Sequence, residues 1–229
     1  MSYYTKWIYR FIIVCILLSC STQKKKTTIQ IQSGLVGIIG YGSLMSRQSM
    51  ESTLKRAYQD SIYIVHLEDF IRDWNWHLSL KDTRLQERFS NSVWFYICGN
   101  DTISLNNVIS LNIISSEKNR MNCVLYFITP DELAEFDERE IGYERIDVTN
   151  KIEEFDFKDG KVYAYKAKPE QIYKPQLDRG NSRIQQSYVD LVENACDSIG
   201  IDFRKEFEES TMQYDPELVA PVIWKTVIK

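Results

Sequence analysis

Two short segments of this chain carry the residue types that chemistry needs. Gly40-Tyr41-Gly42-Ser43-Leu44 directly follows an apolar run, and Asp137-Glu138-Arg139-Glu140-Ile141-Gly142-Tyr143 closes a stretch of helical periodicity. The first offers backbone N–H groups on a glycine turn, which a ligand can approach closely. The second offers carboxylates. Donors facing one sheltered carboxylate suit the movement of a proton on a small zwitterion: the donors hold an anionic group while the carboxylate exchanges the proton.

The glycine segment runs G-x-x-G-x-G from Gly37 to Gly42. It is neither the G-x-G-x-x-G of a dinucleotide fold nor a P-loop, which needs a lysine. No glycine stands two residues before or after Ser43, so it is not a nucleophile elbow. Two readings stay open. One is an ordinary turn from strand to helix. The other is an anion site, with the first N–H groups of a helix over Ser46 to Leu54 directed back at the ligand.

The carboxylates separate by helical phase. At about 100° per residue from Leu133, Glu140 falls roughly 20° away, Asp137 roughly 40° and Phe136 roughly 60°, while Glu138 lies on the opposite side. Glu140 therefore shares the apolar stripe. Loss of water there, and the negative end of the helix dipole, both raise a carboxyl pKa and suit it to acid–base work near neutrality. A structural ion pair with Arg139, Arg145 or Arg179 is the equal alternative, and Asp137 rivals Glu140 for either role.

The elements that must position these groups follow from periodicity. Leu35 to Tyr41, Ser61 to Leu67, Phe70 to Leu80, Ser92 to Cys98, Val108 to Ile114, Met121 to Ile128, Lys161 to Ala167 and Pro221 to Ile228 are expected strands. Thr129-Pro130-Asp131-Glu132 combines an N-cap, a proline at the first helical position and a capping-box glutamate. Ser182 repeats the capping logic for a second helix, with Ile184, Tyr188, Leu191, Ala195 and Ile199 on one face and Gly200 at its end. Arg204 to Glu209 suggests a third short helix. Many strands with scattered helices indicate an α+β fold, not a repeating βαβ pattern.

The remainder of the chain bounds the setting. Lys6 and Arg10 precede the apolar run Phe11 to Leu18, and Leu17-Leu18-Ser19-Cys20 looks like a bacterial lipobox. Residues 1–19 then form a lipoprotein signal peptide with Cys20 as the lipidated residue, so the protein is expected at the cell envelope, held to the membrane by acyl chains. Residues 20–33 are expected to be a flexible tether and residues 34–229 one domain with a sizeable core. The formal charge of -4 becomes more negative once Lys6 and Arg10 are removed, which argues against nucleic acid as a partner. Cys98, Cys123 and Cys196 remain, with buried thiols the default. His66 and His77 are the two histidines, there is no CxxC, and no metal site is expected.

At this point the residues resemble a family. Tyr41-Gly42-Ser43-Leu44 after an apolar strand looks like the signature loop of the γ-glutamylcyclotransferase-like superfamily. Phe136-Asp137-x-x-Glu140 with Gly142-Tyr143-x-Arg145 is similar to its catalytic-glutamate segment, and Asn122 to Tyr126 with Thr129 to Leu133 resembles the strand and helix before it. The resemblance implies a small mixed β-barrel with flanking helices and a cavity at one end. It implies cyclisation of a γ-glutamyl group to 5-oxoproline with release of an amine or amino acid. Glu140 would be the general acid/base, and Tyr41, Gly42, Ser43, Leu44 and Tyr143 would bind the substrate. No cofactor is implied. Leu44 stands where better-characterised branches often carry asparagine. Two other functions are open: a non-catalytic envelope module that binds γ-glutamyl or other small amino-acid ligands, and a serine hydrolase using Ser43 with His66 or His77.

Overall fold

The computed structural model describes residues 26–83, 87, 92–177 and 182–226. Residues 1–19, Cys20 and the lysines up to Lys25 lie outside the described residues, as does Arg179.

The chain adopts an α+β fold built on a mixed sheet. Its strands are β1 (Thr27–Gln30), β2 (Val36–Gly40), β3 (Tyr63–Ser79), β4 (Ser92–Cys98), β5 (Asp101–Ser104), β6 (Asn107–Ile128), β7 (Tyr143–Asp147), β8 (Phe155–Lys158), β9 (Val162–Ala167), β10 (Ser182–Gln185), β11 (Val219–Ala220) and β12 (Ile223–Thr226). Flanking helices among the described residues include α1 (Arg47–Leu54), α2 (Pro130–Arg139), α3 (Gln186–Ile199) and α4 (Ile201–Glu209). The main sheet has the order β11-β10-β6-β2-β9-β7, with β3 also paired to β6. β2 runs antiparallel to β6 and parallel to β9, so the end of β2 lies deep in the sheet.

Two pairs of expected strands are continuous. Ser61 to Leu67 and Phe70 to Leu80 merge into β3, and Val108 to Ile114 and Met121 to Ile128 merge into β6. The polar residues between them form an irregularity in the ladder, not loops. Asp69 and Lys118 both take positive φ there (63° and 64°), and the Lys118 N–H donates to Asp69 Oδ1 at 3.0 Å. Such a bulge bends a long strand pair without ending it.

Three expectations are corrected. The second half of the tether is structured: β1 pairs in parallel with β8, and Ile31 is buried because Ile31 packs against Gly160. Residues 27–31 therefore belong to the folded domain and not to a loose tether. Ser182 does not cap a helix. Ser182 to Gln185 pair with β6 and β11, because Ser182 is buried and accepts from Asn107 Nδ2 at 3.0 Å. The helix starts four residues later, and its buried face is Val189, Val192, Ala195 and Cys196. Cys98 is exposed, while Cys123 and Cys196 are buried, and all three are free thiols.

Candidate active site

The cavity that matters opens where β2 ends. Its lining is Ile39, Tyr41, Gly42, Ser43, Leu44, Leu111, Glu140, Tyr143, Tyr165 and Tyr188. The two segments singled out in the sequence thus face one space.

The turn after β2 depends on two missing side chains. A Cβ on Gly40 would sit 2.6 Å from the Leu44 carbonyl oxygen, so the chain folds back over Gly40 only because that position is glycine. A Cβ on Gly42 would sit 2.9 Å from the Tyr188 hydroxyl. Residues Ser43–Met45 then form one 3-10 turn, with the Met45 and Ser46 N–H groups donating to the Gly42 and Ser43 carbonyls. The expected helix is present as α1, with Ser46 as its cap, but the 3-10 turn stands between its first N–H groups and the cavity. Donors to a ligand come from the turn itself. The Gly42 and Leu44 N–H groups have no protein acceptor among the described residues.

α2 delivers the carboxylate. Its capping box is complete: Thr129 Oγ1 accepts from the Glu132 N–H and Glu132 Oε2 accepts from the Thr129 N–H. Leu133 and Phe136 are buried as the phasing requires. The helix ends at Arg139, and Glu140 is the C-cap residue, with its own N–H donating to the Phe136 carbonyl at 2.9 Å. Its side chain is 15 % exposed, against 42 % for Asp137. Asp137 lies outside the cavity lining. It accepts from the Tyr165 hydroxyl at 2.7 Å and pairs with Arg145 at 2.6 Å, so it orients a cavity wall.

Arg139 occupies the place that the ion-pair alternative gave it. Its Nε lies 3.2 Å from Glu140 Oε1. Nη1 donates to the Ser49 carbonyl at 3.0 Å and to Thr53 Oγ1 at 2.5 Å, and Nη2 donates to Ser43 Oγ at 2.9 Å and Ser49 Oγ at 3.0 Å. A guanidinium has five N–H donors, and the four on Nη1 and Nη2 are all engaged by α1 and the turn. The pairing is therefore at the glycine turn, not away from it, and it bolts α2 to both the turn and α1. Glu140 leaves the helix with ψ of 53°, so its side chain is not bound to the ideal helical direction.

Four tyrosines complete the walls. Tyr41 donates to the Tyr165 carbonyl at 2.7 Å and Tyr143 to the Leu111 carbonyl at 2.6 Å. Tyr143 also stacks on Trp76, with ring centroids 4.8 Å apart. Burial raises the pKa of Tyr41, Tyr143 and Tyr165, and pushes that of Tyr188 up to about 12. The nearby Glu140 charge acts in the same direction on each. All four therefore remain neutral hydroxyls at physiological pH.

Sequence reasoning missed Arg72. Its Nε donates to the Tyr41 carbonyl at 2.9 Å, directly behind the turn. The signal was present: Phe70, Arg72, Trp74, Trp76 and Leu78 alternate along β3, and all five side chains are buried. The serine hydrolase does not assemble. Ser43 Oγ accepts from Arg139, no histidine lines the cavity, and His66 is held between Glu154 and Glu206.

No family model and no curated protein matches the chain. Among solved structures it is similar to a gamma-glutamyl cyclotransferase, at 12 % identity and a TM-score of 0.48, over 80 % of this chain and 95 % of that one. It is also similar to the uncharacterized protein loc79017 from Homo sapiens, at 13 % identity and 0.48, over 81 % and 96 %. A third is At5g39720.1 from Arabidopsis thaliana, at 20 % and 0.36, over 62 % and 78 %.

Proposed function

We propose that this protein cyclises a γ-glutamyl group to 5-oxoproline and releases the attached amine or amino acid. The observation that carries the reading is the shared cavity of Glu140 and the Tyr41–Leu44 turn. Glu140 takes a proton from the substrate α-ammonium. The freed amine attacks its own γ-carbonyl carbon, forming the ring C–N bond. As the original amide C–N bond breaks, Glu140 returns that proton to the leaving nitrogen, and the ring nitrogen gives up its own extra proton, so that the lactam is neutral and the amine leaves as an ammonium. The turn's N–H groups hold the α-carboxylate and stabilise the tetrahedral oxyanion. Because the attack is intramolecular, holding the folded-back conformer supplies much of the rate. The tyrosine-walled cavity suits the glutamyl end, with the leaving amine toward solvent.

The test is a panel of γ-glutamyl amino acids and amines, with 5-oxoproline measured directly. Glu140→Gln is expected to lower turnover by about 10²–10⁴-fold with the far-UV spectrum unchanged. Turnover equal to wild type in that variant overturns the assignment. Binding of γ-glutamyl compounds without any 5-oxoproline would make the protein a binding module.

We further propose that the reaction takes place at the cell envelope on a chain anchored through Cys20, a reading supported by the likeness of Leu17-Leu18-Ser19-Cys20 to a lipobox. Substrates there are γ-glutamyl peptides and amines more than a cytosolic thiol peptide. Cys20→Ser is expected to abolish palmitate labelling and to move the protein out of the membrane fraction. Continued labelling would place the anchor elsewhere.

A further inference from the structure

Arg72 is fully buried on β3. Besides Tyr41, it donates to Ser210 Oγ at 2.8 Å, to the Asn122 carbonyl, and to Asn122 Oδ1 at 3.2 Å. The Phe207 ring centroid lies 4.4 Å from its guanidinium carbon. Every one of these partners is neutral. Among the described residues no carboxylate pairs with Arg72, and the ionisable groups that act on its charge are Cys123, Cys196 and Tyr41. Burial lowers its pKa to about 10, which still leaves it protonated at neutral pH. A buried charge with no counter-charge is costly for a fold to keep.

Its position gives that charge an outlet. The Tyr41 carbonyl and the Gly42 N–H belong to one planar peptide unit. A cation on the oxygen polarises the unit and makes the N–H a stronger donor. Gly42 lines the cavity, and its N–H has no protein acceptor among the described residues. The charge thus reaches the cavity as an enhanced backbone donor, with the guanidinium itself shielded behind the turn.

We propose that Arg72 is the buried counter-charge of the substrate's α-carboxylate, acting through the Tyr41–Gly42 peptide. It is a positioning residue, and this role rests on the γ-glutamyl reading of the cavity. The α-carboxylate is the partner because it is charged throughout the bound state, whereas the oxyanion exists only transiently.

The test compares 5-oxoproline with its carboxamide, which differ in that one charge. Wild type is expected to bind the acid about tenfold or more tightly than the amide, the size of a hydrogen bond to a charged group. Arg72→Met is expected to lose this preference while binding the carboxamide as before, and to raise KM for a γ-glutamyl substrate with kcat little changed. Should Arg72→Met fail to fold by circular dichroism, Arg72→Lys, which keeps the charge, is expected to keep the preference. A wild type with no preference overturns the proposal, as does a folded variant that loses both ligands equally. If wild type shows the preference but makes no 5-oxoproline, the cyclisation reading falls and the role of Arg72 stands.

Discussion

Arg139 and Glu140 are chain neighbours at the end of α2, and their side chains are joined, Nε to Oε1, at 3.2 Å. The same guanidinium holds Ser43 of the glycine turn. One side chain therefore sets the distance between the carboxylate and the donors. Arg139→Gln is predicted to lower kcat/KM by about tenfold or more, because each lost hydrogen bond to a charged group costs about 1.5–3 kcal/mol. Arg139→Lys, which keeps the charge but not the planar fork, is predicted to recover only part of that loss. Steady-state rates of both variants check this, and a wild-type rate for Arg139→Gln would dismiss the role.

Gly42 and Tyr188 meet with no room to spare. A Cβ at Gly42 would lie 2.9 Å from the Tyr188 hydroxyl. Gly42→Ala is predicted to destabilise the fold by about 1–3 kcal/mol through overpacking and to impair activity. Adding Tyr188→Phe removes the clashing oxygen and is predicted to recover part of both losses. The double variant's urea midpoint and turnover check this, and an additive further loss would mean that the contact is not the cause.

What could be read from the chain alone was local. The capping box at Thr129, the β4 boundaries and the alternation around Trp74 and Trp76 are short-range patterns, and the fold preserves them. Helical phase put Glu140 on the sheltered side, and its side chain does line the cavity although it sits one residue past the helix. What escaped depends on distant pairing. Ser182 looked like a cap, but its register partner Asn107 makes it a strand residue. Thr27 to Ile31 looked polar and loose, but pairing with Phe155 to Lys158 orders them. Arg72 was overlooked because an arginine on an apolar face contradicts its type, although the period of two placed it there.

His66 links three elements and should make stability depend on pH. Its Nδ1 lies 2.6 Å from Glu154 Oε1 and its Nε2 lies 2.8 Å from Glu206 Oε2. The hydrogen bond to Glu154 holds the His66 pKa above its ordinary 6.5, against burial. Burial acts to raise Glu154, but its hydrogen bonds with His66 outweigh that and leave it below its ordinary 4.5. The His66 contribution is complete below 6.5 and is lost as pH rises through the raised folded value. The Glu154 contribution is complete above 4.5 and is lost as pH falls through the lowered one. The pair is thus strongest between these ordinary values. Urea midpoints at about pH 5.5 and about pH 8.5 should show a wild-type advantage over His66→Gln that shrinks at the higher pH. An advantage independent of pH would dismiss the imidazolium.

The N-terminal boundary can be tested by where the chain is cut. β1 pairs with β8, Lys26 Nζ donates to the Ile152 carbonyl at 2.7 Å, and the Ile31 N–H donates to the Lys158 carbonyl at 3.0 Å. Ile31 is 2 % exposed, and its side chain fills the space beside Gly160. A flexible tether would tolerate loss of these residues. A paired strand with a buried isoleucine would not. A chain beginning at residue 26 is predicted to keep the stability of the longer one, whereas a chain beginning at residue 34 should lose it. Ile31→Ala in the longer chain separates the side chain from the pairing, with an expected cost of about 2–5 kcal/mol for an isoleucine truncated in a core. Equal urea midpoints for the two truncations would return residues 26–33 to the tether and leave the glycine turn, β6 and α2 to hold the site without them.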